Sequence, residues 1–206
     1  MKKIKLNLVD KRINIFDYTT KEYVEFINLF NKKTLCIKYI MDKQEYEMII
    51  KINSFQITHL VGFQYAYDSI SNKKLFRGKN SLDTFINMDF GKIRKNIKKN
   101  KVYIGKKLIS WEKDVLPRLE YLPMALNTLT KKYRLKKQSI NSSDRLVKTK
   151  LKGQYFYYKI SNENLYLIFS LIPTSKSYTF ESFIVNDGIK LLGPLDDIDI
   201  ISVSLI

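Results

Sequence analysis

His59 is the only histidine in a chain of 206 residues whose formal net charge is +17. Imidazole is the one common side chain whose ordinary pKa, about 6.5, lets it accept and donate protons near neutral pH. The chain has 37 Lys and Arg residues against 20 Asp and Glu residues, which favours binding of a polyanion. A proton-transfer group in so basic a chain predicts chemistry on a phosphate-containing partner.

Cleavage of RNA without a metal ion is one reaction that such a chain could catalyse. The 2′-hydroxyl attacks its own phosphate when one group removes its proton, another protonates the leaving oxygen, and a cation stabilises the developing charge. His59 is the candidate proton-transfer group and Arg118 the candidate cation. A hydroxyl donor completes the set, and the residues alone leave it open among four: Ser182, Thr179, Tyr155 and Tyr157.

Each of these residues also has a purely structural interpretation. A single histidine on a helix is often a hydrogen-bonded core residue, an arginine can extend along its own helix, and a serine on a strand can bond to a neighbouring strand. The spacing of His59, Arg118 and Ser182 along the chain does not separate the two interpretations. Their convergence on one cleft is the structural test.

Basic residues are concentrated within residues 92–107, 131–137 and 148–152. In the third segment every second residue is a lysine, so a strand would present all three amines on one face. Each segment alone is compatible with a solvated surface, whereas three together favour a nucleic-acid interface. The predicted nucleic-acid-binding residues come from these segments and from a basic loop at residues 71–80: Arg77, Lys98, Lys99, Lys148, Lys150 and Lys152.

Composition disfavours several other kinds of site. One histidine and one cysteine, Cys36, cannot form a zinc centre of the usual ligand spacing. Asp196, Asp197 and Asp199 leave a magnesium site as a minor alternative, although carboxylates from one short segment seldom converge. No glycine-rich phosphate loop precedes a helix, so nucleoside triphosphate chemistry has no support. We expect neither a metal nor a cofactor.

The chain is expected to fold as a single basic domain over residues 1–206. Hydrophobic residues make up 45% of it, its few prolines and glycines form no linker, and aromatic residues at 13% argue against disorder. No apolar stretch is long enough for a secretory signal or a membrane span. Together with the lone cysteine, this predicts a cytoplasmic protein whose partners do not include a membrane.

His59 is predicted to lie on a helix that follows a hairpin. Apolar residues recur with helical spacing over residues 20–30, and residues 35–41 and 46–52 are typical of two strands joined by a tight turn. On the next helix, His59 lies opposite the apolar stripe. The small Gly62 is expected to leave open space beside the imidazole for another backbone or a ligand.

The second half of the chain begins with a helix and ends with strands. Ser110 caps a helical pattern that contains Arg118, and Pro117 and Pro123 are expected to kink or divide it. Aromatic and β-branched runs separated by turn residues then predict an antiparallel sheet. The runs lie at residues 154–160, 165–171 and 177–185, with further strands near 189–192 and 200–206. This order predicts an α+β fold in which an N-terminal hairpin and helices precede a curved antiparallel sheet.

The order of these segments resembles a known family. His59-Leu60-Val61-Gly62-Phe63 is similar to the His-Leu-x-Gly-hydrophobic signature of phage-associated nuclease-like domains, which are grouped with the barnase, EndoU, colicin and RelE ribonucleases. Where such domains carry paired aromatic residues after the serine, Phe183 is followed here by Ile184. Further segments match in order over about residues 45–190: Arg118-Leu119, Tyr155-Phe156-Tyr157-Tyr158, Tyr166-Leu167-Ile168-Phe169 and Glu181-Ser182-Phe183.

The resemblance implies a barnase-, EndoU- and RelE-like fold and a metal-independent ribonuclease site. In this site His59 would transfer protons, Arg118 would stabilise phosphate charge, and Ser182 would hydrogen-bond a phosphate oxygen or orient a partner group. Such domains are linked with prophages and mobile elements, which implies a toxin or effector that acts on RNA, with tRNA as one candidate. An immunity protein or a host target protein would then be a second partner.

Two other functions stay open at this point. A nucleic-acid-binding phage regulator or anti-defence protein would use the basic surfaces without catalysis, so its affinity would depend on lysines rather than on His59. A protein inhibitor would use its basic surface to cover an acidic or nucleic-acid-binding partner. Cleavage of RNA in the presence of a chelator separates the ribonuclease from both alternatives.

Overall fold

The fold of this chain is α+β, as predicted, and it divides into two compact units. The helical unit comprises residues up to 31 and residues 53–127, and the barrel unit comprises residues 32–52 and 128–206. The expected single domain stays a prediction, because compact units of one chain need not be independent domains. The computed structural model describes residues 11–53, 56–66, 78–101, 103–104, 107–131, 133–138, 154–186 and 195–206.

The helices and the two-stranded sheet β3–β4 lie in the helical unit, and the other seven described strands lie in the barrel unit. The helices are α1 (Thr20–Asn28), α2 (Ile57–Leu60), α3 (Gly78–Ile86), α4 (Phe90–Asn100) and α5 (Leu116–Asn127). Turns of 3-10 helix lie at Ile15–Asp17 and Phe63–Ala66, and a π-helical turn at Trp111–Val115 leads into α5. The strands are β1 (Thr34–Met41), β2 (Gln44–Lys51), β3 (Tyr103–Ile104), β4 (Lys107–Leu108), β5 (Arg134–Gln138), β6 (Tyr155–Ile160), β7 (Tyr166–Pro173), β8 (Tyr178–Asn186) and β9 (Leu195–Leu205).

Helix α1 begins at a reciprocal cap. The Thr19 side chain accepts a hydrogen bond from the backbone N–H of Glu22, and the Glu22 carboxylate accepts one from the backbone N–H of Thr19 at 2.8 Å. This capping box satisfies donors that the first turn would otherwise leave unpaired. The bonds from the Thr19 backbone and hydroxyl lower the pKa of Glu22. The predicted N-terminal helix is confirmed.

An aromatic cluster holds the helices of the helical unit together. The ring centroid of Tyr23 in α1 lies 6.1 Å from Phe85 of α3 and 5.8 Å from Phe90 of α4. Phe85 also meets Phe63 edge-on at 5.0 Å. The buried Tyr23 hydroxyl donates to the carbonyl oxygen of Leu119 in α5 at 3.0 Å. Burial raises the pKa of Tyr23 well above its ordinary value, so this donor keeps its proton.

The barrel closes where β1 meets β9. Seven strands follow one another around it in the order β1-β2-β8-β7-β6-β5-β9, and β1 pairs with β2 on one side and with β9 on the other. Neighbouring strands are antiparallel, except that β2 and β8 meet in parallel at Ile50 and Tyr178. The predicted hairpin is confirmed, but it belongs to the main sheet, and that sheet is closed rather than only curved.

Aromatic side chains fill the barrel. Phe169 of β7 packs against Phe180 and Phe183 of β8, with ring centroids 4.4 and 4.8 Å apart, and all three are buried. The register between these strands shifts after Ser170, where Glu181 is the extra residue of β8. Such a bulge adds the local bend and twist that closure of a small barrel requires.

Four tyrosines from four strands of the barrel contact one another, two of them buried and Tyr46 exposed. Tyr39 of β1 stacks on Tyr46 of β2 at 5.6 Å and lies 6.4 Å from Tyr155 of β6. The Tyr155 hydroxyl shares hydrogen bonds with Tyr39 and with Tyr178 of β8. Burial is the main reason why the pKa of Tyr155 rises to about 12. Burial also raises the pKa of Tyr39 and of Tyr178, so these two phenols and Tyr155 keep their protons at physiological pH and act as a structural network.

The three aromatic strands predicted from the last third of the chain are confirmed as β6, β7 and β8. Sequence patterns miss β5, because Arg134–Gln138 reads as a basic cluster rather than as a strand. The predicted strand at 189–192 and four predicted nucleic-acid-binding residues lie outside the described part of the chain: Arg77, Lys148, Lys150 and Lys152.

Candidate functional site

His59 lies on the single turn α2, and its side chain is exposed. Its neighbours Thr58 and Leu60 are buried, so the predicted orientation of His59 away from the apolar side is confirmed. The Ser81 hydroxyl of α3 donates to the Thr58 hydroxyl at 2.7 Å. This buried hydrogen bond fixes the turn that presents the imidazole.

Gly62 allows a tyrosine ring to lie against the backbone of the His59 segment. Gly62 has a φ angle of +78°, and a Cβ atom at this position would lie 2.9 Å from Cδ2 and Cε2 of Tyr65. Any other residue here would meet both backbone strain and a collision. The Tyr65 ring occupies the space at Gly62, and the expected open space beside the imidazole of His59 stays a prediction.

Tyr65 in turn reaches Arg118. The Arg118 side chain is partly buried on α5 and hydrogen-bonds with the side chain of Tyr65. Burial lowers the pKa of Arg118, whereas Tyr65 and Asp114 act in the opposite direction. An arginine keeps its charge after such a shift, because its ordinary pKa is far above neutral. The helical unit therefore holds a fixed cation next to Tyr65.

A helix cap places Asp114 near this cation. The backbone N–H of Ser110 donates to the buried Asp114 carboxylate at 2.8 Å, and the Ser110 hydroxyl accepts from the backbone N–H of Lys113, so the predicted cap is confirmed. Pro117 is the second residue of α5 and follows the π-helical turn directly. The helical pattern changes from the π-helical turn to α5 at Leu116, directly before Pro117, and α5 continues through Pro123; a kink at Pro123 stays a prediction.

The segment that carries His59 and Tyr65 is also anchored at its far end. The Asn100 side chain of α4 donates to the carbonyl oxygen of Ala66 at 2.8 Å. Backbone hydrogen bonds of 3.0 Å run from Gly62 to His59 and from Tyr65 to Gly62. The structure therefore connects the His59 turn to Arg118 through two tight turns and one tyrosine.

Tyr65 is the member of this arrangement that sequence patterns do not identify. A tyrosine three residues after a glycine has no motif of its own. The available signal is Gly62, since an isolated glycine in a helical pattern often marks a close approach of another group. The identity of that group is visible only in the structure.

Ser182 lies in the barrel unit, on β8 opposite Ser170 of β7. The next residue, Phe183, is buried inside the barrel, so Ser182 faces outward and is partly buried. On the same outer patch the Ser170 hydroxyl donates to the Glu181 carboxylate at 2.8 Å. The convergence of Ser182 with His59 and Arg118 stays a prediction.

The two phenolic candidates for the hydroxyl donor have structural roles. The Tyr157 hydroxyl is buried and donates to the carbonyl oxygen of Leu129, and burial raises the pKa of Tyr157. Tyr155 is part of the tyrosine network inside the barrel. Thr179, like Ser182, is partly buried on β8. The aliphatic hydroxyls are therefore the better candidates for contact with a substrate.

The two described lysines predicted to bind nucleic acid differ in their surroundings. Both Lys98 and Lys99 are exposed on α4. The Lys98 ammonium lies 2.6 Å from the Glu112 carboxylate, and the Arg94 guanidinium lies 3.6 Å from the same carboxylate. Lys99 has no ion-pair partner among the described residues. Its charge is therefore the more available of the two for a phosphate.

Carboxylates do not gather in the part of the chain that the structure describes. There, no three His, Cys, Asp or Glu side chains lie close enough together to hold a metal ion. Of the aspartates on β9, Asp197 lies 3.1 Å from the Lys136 ammonium of β5. Within the same residues, no helix has the length and apolar character needed to cross a membrane.

No protein-family model, curated protein or solved structure matches this chain. The resemblance to the phage-associated nuclease-like domains therefore stands on the order of the motifs. In the structure, Gly62 of this segment lies against the ring of Tyr65, and the Tyr65 side chain hydrogen-bonds with Arg118.

Proposed function

We propose that this chain is a metal-independent ribonuclease that cleaves RNA by attack of the 2′-hydroxyl on its own phosphate. His59 transfers protons, Arg118 stabilises the charge on the phosphate, and Ser182 hydrogen-bonds a phosphate oxygen or orients a partner group. The likeness to the barnase, EndoU, colicin and RelE group and a role as a toxin or effector of a phage or mobile element belong to the same proposal.

The observation that carries this proposal is the connection from the His59 turn through Tyr65 to Arg118. A proton-transfer group and a cation have to be held in fixed geometry to act on one phosphate. His59 is exposed on a turn fixed by the Thr58–Ser81 hydrogen bond, and the Arg118 side chain hydrogen-bonds with Tyr65. A site for an external phosphate needs both an exposed proton-transfer group on a fixed turn and a cation held in place. Two unrelated surface residues would lack these features.

A cleavage assay in a chelator tests the proposal. Purified protein is incubated with tRNA and with single-stranded RNA in EDTA, and the products are examined for the 2′,3′-cyclic phosphate that transesterification leaves. We expect cleavage to persist in EDTA and to fall by about 10²- to 10⁴-fold in His59→Ala. Lys21→Ala, which removes an exposed charge from α1, is the matched control and should cleave normally.

The Tyr65→Phe variant tests whether the hydrogen bond from Tyr65 is needed to hold Arg118 in place. The phenyl ring keeps the packing against Gly62, but the hydrogen bond to Arg118 is lost. We expect a lower kcat with little change in KM, and a stability close to that of the unchanged protein. Cleavage that depends on added Mg²⁺, or that survives His59→Ala, would show that this mechanism is wrong.

A nucleic-acid-binding protein without catalysis is the second candidate. Lys99 favours it, because this lysine is exposed and has no ion-pair partner in the part of the chain that the structure describes, and phosphate binding by such a lysine needs no proton transfer. This candidate predicts salt-dependent binding of RNA that is unchanged in His59→Ala, with no cleavage in any buffer. Binding without cleavage would therefore replace the first proposal by the second.

A further inference from the structure

One stretch of the helical unit is basic without interruption. Residues 90–108 contain eight Lys and Arg residues and no Asp or Glu. Helix α4 buries Phe90, Ile93 and Ile97, so the residues between them define its exposed side. Lys95 and Lys99 lie opposite the buried stripe, one helical turn and about 6 Å apart along the axis. This spacing is comparable to that of successive phosphates on an extended nucleic-acid strand.

Carboxylates compensate part of the positive charge of α4, because Asp89 lies 3.6 Å from Lys92 near the start of the helix and Glu112 lies on one flank. Glu112 lies 2.6 Å from Lys98 and 3.6 Å from Arg94, on the flank next to the π-helical turn. Within the described part of the chain, Lys95, Lys99 and Lys101 have no carboxylate partner. The uncompensated charge therefore points to solvent, where an anion can reach it.

An exposed aromatic ring follows these lysines. Lys101 has a φ angle of +46° and ends α4, which turns the chain into the β3–β4 hairpin. In that hairpin Tyr103 lies opposite Leu108, with 61% and 46% of their surfaces exposed. Tyr103 has no ring contact or hydrogen bond among the described residues. Such an exposed aromatic ring within a basic surface is typical of a site on which a nucleobase stacks.

We propose that these residues form a binding surface for single-stranded RNA. The α4 surface is defined by Lys95, Lys99, Lys101, Tyr103 and Leu108. Its lysines bind successive phosphates of one strand, and the Tyr103 ring stacks on an unpaired base, with Leu108 packed against the edge of that base. The surface has no preference for base identity, because every base has a π face.

The chemistry of the surface favours a single strand over other polyanions. A duplex keeps its bases stacked inside, so it could use the lysines but not the ring. An anionic membrane would need a broader apolar face than one tyrosine and one leucine. An acidic protein would match the charge, but it would not explain why the lysines are followed by an exposed ring that any nucleobase can cover.

The proposed function enters this inference only in the choice of RNA over DNA, since binding at the α4 surface needs no catalysis. The experiment is therefore done in His59→Ala, where the proposed cleavage is abolished. Affinity for a labelled oligouridine of roughly ten nucleotides is measured by fluorescence anisotropy, beside an RNA duplex and an oligothymidine of the same length.

We expect Tyr103→Ala to weaken oligouridine binding about 5- to 150-fold, as loss of one stacked base does, while duplex binding changes less than twofold. Tyr103→Phe keeps the ring and should bind normally. Lys95→Ala and Lys99→Ala should each reduce the slope of log affinity against log salt by about 0.7. Lys98→Ala is the matched control with a smaller reduction, because its ammonium is held by Glu112.

Several results would overturn the inference. Equal oligouridine affinity for Tyr103→Ala and the parent, equal losses for the oligouridine and the duplex, or tighter binding of oligothymidine than of oligouridine would each do so. Tyr103-dependent binding to phosphatidylserine vesicles without oligouridine binding would assign the surface to a membrane instead. If Tyr103 proves irrelevant while chelator-resistant cleavage by the protein with His59 persists, this inference fails and the proposed function stands.

Discussion

The helical unit and the barrel unit bury their polar groups in different ways. Among the described residues, the buried carboxylates Glu22, Asp114 and Glu120 all lie in the helical unit, whereas the buried polar side chains of the barrel unit are hydroxyls. Glu120 is paired with Arg12 at 2.5 Å. Keeping a charge in a protein interior requires fixed partners. Among the described residues, buried charge with fixed partners is therefore a feature of the helical unit, whereas the interior of the barrel is held by neutral aromatic packing.

The largest expected effect concerns the aromatic core of the barrel. Phe169→Ala removes a buried ring that contacts both Phe180 and Phe183, and it should lower the free energy of unfolding by about 3–5 kcal/mol. Urea unfolding followed by circular dichroism measures the loss. Phe16→Ala removes a half-exposed ring from the helical unit and should change the free energy of unfolding by less than about 0.5 kcal/mol. Similar losses of stability for both variants would contradict the central role of Phe169 in the aromatic core.

Gly62→Ala is the corresponding test of the helical unit. The positive φ angle and the contact with Tyr65 should together lower the free energy of unfolding by about 1–3 kcal/mol. The double variant with Tyr65→Ala removes the collision but keeps the backbone strain. A double-mutant cycle should therefore give a smaller loss for Gly62→Ala when Tyr65 is absent. Strict additivity of the two changes would show that the ring does not restrict this position.

Alkaline pH should affect the barrel through its phenols. The pKa of Tyr155 is raised to about 12, so the folded state holds its proton where the unfolded chain, with a pKa of 10, has lost it. Stability from this group is complete below pH 10 and is lost as the pH rises from 10 to 12. Tyr155→Phe should make the free energy of unfolding fall less steeply in that window. An unchanged slope would mean that Tyr155 ionises without penalty in the barrel.

The smallest expected effect is a loss of stability at acidic pH, and it concerns an ion pair of the helical unit. The hydrogen bond from Lys98 lowers the pKa of Glu112, so the ion pair stabilises the folded state above pH 4.5 and is lost as the pH falls through the lowered pKa. The pair is exposed, so Glu112→Gln should cost at most about 0.2–1 kcal/mol at neutral pH. Thermal melts at pH 7 and pH 3 should differ less for the variant than for the parent.

Sequence patterns predict the helices, hairpins and strands that are determined by residues close together in the chain. Helix α1, the β1–β2 hairpin and strands β6 to β8 follow from residue periodicity and turn residues, and the Ser110 cap follows from a capping residue. Barrel closure does not follow, because the pairing of β1 with β9 joins residues separated by most of the chain. Strand β5 is hidden for a similar reason, since its lysines become strand residues only beside β6 and β9.

Some features of the candidate site also follow from the sequence, whereas others do not. The exposure of His59 follows from the position of its neighbours on the apolar side of α2. The contact between Tyr65 and Arg118 does not follow, because it joins two elements and rests on one glycine with a positive φ angle. Patterns of residue type identify groups that can do chemistry, whereas the side chain that positions them is found only from three-dimensional packing.

Closure of the barrel by its last strand also sets an order for biosynthesis. The hairpin strand β1 leaves the ribosome long before β9, because residues 52–194 are translated between β2 and β9. Until β9 arrives, one edge of β1 has no partner strand, and unpaired edges are prone to associate with other chains. The helical unit can fold during that interval, since its residues up to 127 are already synthesised. A nascent chain of this protein therefore depends on β9 to protect the open edge of β1.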